Sequence, residues 1–327
     1  MEWTVDFFLS TIVCLAFISF IPQENGTENP FMSSVIVIET QPRLHALVED
    51  LAQAPYIAVD TESNSFYAYF ERVCLIQIST EEQDYIVDPI AIPDLKPLES
   101  LLSSPHCEKI FHAASNDILG LKRDFQFTFS NIFDTAIAAK LLGYNRLGLA
   151  NILEEHFEVH LNKKWQRHDW GKRPLKEEHL DYARMDTHYL IPLRHRLEAE
   201  LRSLELWDTA LEAFVKACDQ ETHARPFQPG GFIQIHGARS LDPIGKRILK
   251  ALYLFRENEA RKRDRAPFRI LSNETLLRLA LFRPTSVDEI KGIKGLPHSY
   301  QNGRAAHNLL DLIRRTRELA EEAKATN

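Results

Sequence analysis

Apolar residues along this chain change period several times, and each change marks an element. Residues 35–39 (VIVIE) predict a short strand. Leu44, Leu47, Val48 and Leu51 recur at helical spacing and predict a helix over 42–54. Apolar runs at 56–60 (YIAVD) and 73–78 predict buried strands, and 85–87 a third, ended by Asp88-Pro89. A helix over 95–102 precedes a short strand at 109–112 and a helix at about 115–123. Residues 131–142 (NIFDTAIAAKLL) start extended and turn helical, closing on Gly143. A helix over 147–156 and a polar loop to about 175 follow. The last segment is helical from 176 to about 203, with Pro192 expected to kink it. Strands first, then alternation with helices, indicate an α/β or α+β domain.

Residues 219–240 hold two prolines and three glycines and read as a linker. Beyond them the pattern is purely helical. The first helix spans about 242–263, with Asp242 as N-cap and Pro243 at the first helical position. Ser272 and Ser286 are expected to cap shorter helices at 273–281 and 286–291, and a last helix covers about 299–322. The expected domains are therefore 32–218 and a small helical bundle at 237–320, joined by a linker at 219–236, with a tail at 321–327.

The N-terminal stretch stands apart. Residues 7–21 (FFLSTIVCLAFISFI) are almost wholly apolar but fall short of the ~20 residues that span a bilayer. Glu2 and Asp6 precede them with no Lys or Arg, unlike a signal peptide. The regular pattern begins just after Met32, so Met32 is the expected physiological start and 1–31 lie outside the fold; a membrane anchor is the alternative.

Composition adds bounds. At 327 residues, 44% hydrophobic and 26% charged, the chain can bury a sizeable core. Its four cysteines (Cys14, Cys74, Cys107 and Cys218) form no C-x-x-C pair, so a reducing cytoplasm is expected and stable membrane association is not. The net charge of −7 argues against a nucleic-acid partner until its distribution is counted. Residues 237–327 carry 19 Lys and Arg against 11 Asp and Glu, a net of +8, which leaves −15 on residues 1–236. An acidic first part suits carboxylates that hold cations, and a basic second part suits a phosphate backbone.

Three short patterns carry candidate chemistry. Asp60-Thr61-Glu62 ends the apolar run 57–59, and positions two apart on a strand share a face. Two adjacent carboxylates are costly unless a cation neutralises them, and hard oxygen ligands suit Mg²⁺ or Mn²⁺. His112 and Asp117 flank a strand-to-helix junction. Tyr182 and Asp186, four apart, share a helix face. Each pattern alone is common: a solvated turn, a helix-dipole aspartate and an amphipathic face would explain them.

Taken together, D-x-E, H-x-x-x-x-D and Y-x-x-x-D in this order resemble the motifs of DEDDy 3′→5′ exonucleases. Further segments resemble ribonuclease D: CLIQIS at 74–79, FDTAIAAKLLG at 133–143 and DWGKRPL at 169–175. The helical tail resembles the HRDC domain. The resemblance covers about 35–225 and 240–317, and implies a ribonuclease H-like (DnaQ-like) α/β fold followed by a small all-α bundle. Some ribonuclease D proteins carry two helical C-terminal domains, and this chain has room for one.

The resemblance also implies phosphodiester hydrolysis with two divalent cations, Mg²⁺ or Mn²⁺, about 4 Å apart. Asp60, Glu62 and Asp186 would bind the first cation, Asp60 would bridge to the second, and Asp117 would hold that one through water. Tyr182 would orient or activate the attacking water. Thr61, Gln77, His112 and Arg173 are expected on the substrate side, His112 near the terminal nucleotide and Gln77 and Arg173 shaping the site or touching phosphate. Trp165 and Trp170 are candidates for base stacking or core, and the cluster 261–265 (RKRDR) for RNA phosphates or a solvated helix end. The expected substrate is the 3′ end of RNA such as tRNA precursors or other structured RNA. A DNA exonuclease and a catalytically silent nucleic-acid-binding module are the alternatives.

Overall fold

The computed structural model describes residues 35–219 and 227–325. The expectations for residues 1–31 and for Met32 lie outside them. In chain order the first domain contains β1 (Ile36–Ile38), α1 (Gln41–Leu51), β2 (Tyr56–Ser63), β3 (Val73–Ser79), β4 (Asp84–Val87), α2 (Glu99–Leu102), β5 (Glu108–Phe111) and α3 (Ser115–Phe125). It continues with β6 (Ile132–Asp134), α4 (Thr135–Leu141), α5 (Leu149–Phe157), α6 (Glu177–His188), α7 (Leu190–Ser203) and α8 (Trp207–Cys218).

The strands form one six-stranded sheet in the order β1-β4-β3-β2-β5-β6. β2 runs antiparallel to β3 and parallel to β5, so the sheet is mixed. All seven residues of β3 are buried, which is why VCLIQIS reads as a continuous apolar run rather than an alternation. The main core gathers Ile57, Val59, Ile76, Ile78, Ile110, Phe111 and Phe133 from the strands with Leu121, Leu193, Leu197 and Phe214 from the helices.

Two details differ from the sequence reading. β2 does not end at Asp60; it extends to Ser63, and the register with β3 shifts between Glu62 and Ser63, so both carboxylates stand inside the strand next to a bulge. The helix expected over 176–203 is two helices broken at Tyr189, not at Pro192. Pro192 is the third residue of α7, where a backbone amide has no intrahelical partner to lose.

The second domain contains α9 (Pro243–Arg263), α10 (Pro267–Ile270), α11 (Asn273–Phe282), α12 (Val287–Lys291) and α13 (Gly303–Ala325). The expected caps are present. Asp242 accepts from Gly245 N at 2.7 Å, Ser272 from Thr275 N at 3.1 Å and Ser286 from Glu289 N at 3.2 Å. Residues 231–234 and 238–240 form short 3-10 turns, and Ile235, just after the first, and Ala238, opening the second, join this domain's core, so the end of the expected linker belongs to the bundle.

The bundle clasps the loop between β2 and β3. Asp264 Oδ1 accepts from the backbone amides of Tyr69 and Phe70 at 3.0 and 2.9 Å. Ala266 N donates to the Tyr67 carbonyl at 3.0 Å, the Tyr69 hydroxyl donates to Glu257, and Arg269 donates to the Phe66 carbonyl. The clasped loop begins at Asn64, two residues after Glu62. Among the described residues no helix is long and apolar enough to cross a membrane.

Candidate active site

β2, α3 and α6 bring the four predicted carboxylates together. Asp60 and Glu62 project from one face of β2. Asp117 lies in the first turn of α3, where negative charge is favoured by the helix dipole. Its Oδ1 accepts from the backbone N–H of Thr61 at 3.1 Å and from the Thr61 hydroxyl at 2.5 Å. That hydroxyl thus orients Asp117 rather than facing the substrate.

Each carboxylate feels the others. Burial pushes Asp60 well above the usual carboxylate range, and the charges of Asp117, Asp186 and Glu62 add to it. Burial raises Glu62 too, followed by Asp186 and Asp117. Asp117 rises to about 6 and Asp186 to about 7, in each case chiefly through burial. Among the described residues, no Lys or Arg forms an ion pair with Asp60, Glu62, Asp117 or Asp186. A cluster of this kind lacks positive charge, and an all-oxygen donor set suits a hard divalent cation. No three His, Cys, Asp or Glu side chains among the described residues converge as a finished ligand cage, so the carboxylates would adjust on binding. The donor chemistry fits; the number and identity of the ions are not fixed by it.

Tyr182 stands one turn before Asp186 on α6. Its hydroxyl is held in the neutral form, first by burial and then by Asp186, Glu62 and Asp60. A phenol that keeps its proton is suited to orient a water through hydrogen bonds, not to deprotonate it. The ring packs on Trp170, with centroids 6.0 Å apart and planes inclined by 27°.

Trp170 is buried and backs Tyr182, so it is not a stacking platform for bases. Trp165 instead lines a cleft of about 350 Å³ beside Tyr182 and Asp186, with its ring edge-on to His179 at 4.4 Å. Arg173 is half-buried and held by several partners of the protein itself. It pairs with Asp88 at 2.5 and 2.7 Å and donates to the carbonyls of Trp170 and Cys74 at 2.8 and 2.9 Å. It therefore fixes the DWGKRPL segment behind Tyr182, which fits the shaping role expected of it as the alternative to a phosphate contact.

Gln77 lies opposite Asp60 in the register but is 0% exposed, with neither amide atom hydrogen-bonded, so it does not reach substrate. His112 Nδ1 meets the Thr135 hydroxyl at 2.9 Å and its ring also bonds the Leu147 backbone. Burial lowers its basicity, and the neutral ring anchors the β5–α3 junction.

Sequence reasoning missed two supports. Asp134 accepts from the amides of Ala113, Ala114, Ala136 and Ile137 at 2.8–3.1 Å, tying the turn before Asp117 to the start of α4. Asp84 sets the rotation of α6: it accepts from Arg184 at 3.1 Å, meets His188 at 2.9 Å, and accepts from Ser79, which also bonds Thr187. In the sequence, D-Y-A-R-M-D-T-H offers the Arg, Thr and His, but nothing marks Asp84 about 100 residues away.

Comparison with known proteins decides the family. A 3′-5′ exonuclease family pattern matches residues 35–202, more than half of the chain. The chain belongs to the 3′-5′ exonuclease family. An HRDC domain pattern matches residues 245–313, behind this exonuclease domain. Protein RRP6-like 3 of Arabidopsis thaliana is 35% identical, over 79% of this chain and 32% of that protein. The exosome complex exonuclease RRP6 of Saccharomyces cerevisiae is 31% identical over 88% of this chain and 42% of its own length. Ribonuclease D of Haemophilus influenzae is 33% identical over 73% of this chain and 60% of its own.

Solved structures agree on the fold. The catalytic core of RRP6 from Trypanosoma brucei superposes with a TM-score of 0.77 and 26% identity, covering 91% of this chain and 83% of that one. Escherichia coli RNase D superposes with a TM-score of 0.66 and 29% identity, covering 89% and 77%. The chain spans 32% and 42% of the two RRP6 relatives named above.

Proposed function

We propose that this chain is a divalent-cation-dependent exoribonuclease that removes nucleotides from RNA 3′ ends. One observation carries the reading: four carboxylates from three elements destabilise one another's charge with no cationic side chain among them. Such a cluster is paid for by what it binds.

Asp60, Glu62, Asp117 and Asp186 would hold two cations, Mg²⁺ or Mn²⁺. When bound, such ions activate water and neutralise charge on the reacting phosphate. The chain's own residues do the rest. Thr61 aims Asp117. Tyr182 donates from a neutral hydroxyl and holds the attacking water in line. Trp170 and Arg173 keep the Tyr182 ring in place, and the Asp84–Arg184 pair keeps α6 in phase.

The substrate we assign is the 3′ end of structured RNA, tRNA precursors among them. It is supported by the likeness to Escherichia coli RNase D, described as an exoribonuclease involved in structured RNA processing. The buried free thiols of Cys74, Cys107 and Cys218 fit a reducing compartment, and a cytoplasmic site of action is part of the reading. The test uses matched RNA and DNA oligonucleotides labelled at the 5′ end, with Mg²⁺ or Mn²⁺. A ladder shortening stepwise from the RNA 3′ end is expected. Cleavage confined to DNA would move the reading to a DNA exonuclease, and no cleavage of either would leave a binding module.

A further inference from the structure

A second cleft, of about 420 Å³, opens between the exonuclease domain and the helical domain. Four cationic side chains line it: Arg72 and Lys172 from one domain, Arg265 and Arg269 from the other. The two acids in its wall are already engaged. Asp264 caps the amides of Tyr69 and Phe70, and Asp169 lies 3.6 Å from Lys172. Arg72 and Arg265 are exposed and form no ion pair among the described residues. The cleft therefore offers positive charge that its own walls do not neutralise.

Aromatic rings stand exposed on the segments that form this boundary. Phe66 is 44% exposed, Phe70 57% and Phe268 51%, although burying such rings is ordinarily favourable. Phe66 and Phe268 come from different domains and meet edge to face at 6.4 Å. A cationic groove flanked by exposed rings is the arrangement that holds single-stranded nucleic acid, with phosphates on the cations and bases on the rings.

The position relative to the carboxylates matters as much as the composition. Asn64, in the cleft wall, is two residues from Glu62, so the two are at most about 7 Å apart along the chain. Gly171 and Lys172, in the same exonuclease-domain wall with Gly171 packed beside Asn64, follow Trp170, the residue that backs Tyr182. We propose that this interdomain cleft is the path of the single strand upstream of the scissile bond. Arg72, Lys172 and Arg265 hold successive backbone phosphates, and Phe70 offers a face to a base. The inference rests on the exonuclease reading for its direction only: a strand cut at its 3′ end must leave the carboxylates on its 5′ side. It also assigns the cluster 261–265 more closely. Arg263 pairs with Glu259 and Asp264 clasps the loop, which leaves Arg265 to face the cleft.

The test is the salt dependence of binding by the full chain, in EDTA so that nothing is cleaved. Fluorescence anisotropy is followed for a single-stranded RNA of twelve nucleotides and for a labelled single nucleotide, which has no upstream phosphates to lay in the cleft. The variant Arg72→Gln/Lys172→Gln/Arg265→Gln should bind the longer RNA more weakly. Its plot of log affinity against log salt should be shallower by about 2, since each phosphate contact on a single strand contributes roughly 0.7. Binding of the single nucleotide should not change. Phe70→Ala should weaken the longer RNA roughly fivefold or more with the slope unchanged, as loss of one stacked base would.

An unchanged slope in the triple variant overturns the proposal, as does an equal loss for both ligands, which would mean damage at the carboxylates. The exonuclease reading fails separately. If the wild-type chain with Mg²⁺ or Mn²⁺ cuts no RNA while the slope still changes, the cleft stands and the catalytic reading falls. If RNA is cut and the slope does not move, only the cleft falls.

Discussion

The hydroxyl and the backbone N–H of Thr61 both donate to Oδ1 of Asp117, at 2.5 and 3.1 Å. The middle residue of the first motif thereby aims the carboxylate of the second. Thr61→Val keeps the branched shape and removes only the hydroxyl. Groups that orient a metal ligand typically contribute about 10–100-fold to affinity or activity. The variant should therefore need roughly 10-fold more Mg²⁺ or Mn²⁺ for half-maximal turnover. Activity titrated against the cation checks it, and an unshifted midpoint would return Thr61 to the substrate side.

Tyr182→Phe separates mechanism from packing. The ring keeps its place on Trp170, and the hydroxyl is lost. If the hydroxyl holds the attacking water, kcat should fall by about 10²–10⁴-fold with KM little changed. Single-turnover rates at saturating Mg²⁺ decide. A fall of less than about threefold would leave Tyr182 as a core ring beside a ligand.

The Asp84 network predicts a pH-dependent loss of stability. Burial alone would raise the Asp84 carboxyl, but hydrogen bonds from His188, Ser79 and Arg184 outweigh it and hold the group below its usual value. A carboxyl lowered in the folded state stabilises fully above its unfolded pKa of about 3.9, and the gain is lost as pH falls through the folded value. Asp84→Asn should cost about 3 kcal/mol near neutral pH, because it leaves the buried Arg184 charge with only the more exposed Asp181 as partner. The gap to wild type should close in acid. Turnover should fall as well, since α6 carries both Tyr182 and Asp186. Urea melts at pH 7 and pH 3 measure the first effect.

The opposite sign holds at the carboxylate cluster. Asp117 and Asp186 are raised to about 6 and about 7 without cations. A carboxyl raised in the folded state stabilises fully below its unfolded pKa of about 3.9, and that contribution is lost as pH rises through the folded value. The cation-free chain should lose stability between about pH 4 and pH 7, and millimolar Mg²⁺ or Mn²⁺ should restore it at the upper end. Thermal melts across that range, with EDTA and with cation, check this. Equal melting temperatures with and without cation at pH 7 would contradict a cation site here.

What the sequence made legible is what repeats at short range. Asp60 and Glu62 stand two apart on a strand, Tyr182 and Asp186 four apart on a helix, and Asp242, Ser272 and Ser286 sit directly before apolar-periodic runs. The parts that escaped depend on partners far along the chain. Arg173 looked free for phosphate because Asp88, its partner, lies 85 residues earlier. The clasp between Tyr69 and Asp264 joins residues 195 apart. The helix Trp207–Cys218 was not marked off in the pattern between the Pro192 helix and the linker. Gln77, which the resemblance places on the substrate side, is completely buried in its apolar strand, a fact that neighbouring residues along the chain do not reveal.

If the carboxylates hold the reactive cations, Asp60→Asn is the variant that shows it most directly. The change removes one charge from a crowded cluster, so the cation-free variant should melt at the wild-type temperature or above it. With Mg²⁺ or Mn²⁺ and a 5′-labelled RNA, the wild-type chain should shorten the strand from its 3′ end, and the folded variant should leave it intact. Cleavage by Asp60→Asn at most of the wild-type rate would contradict the account.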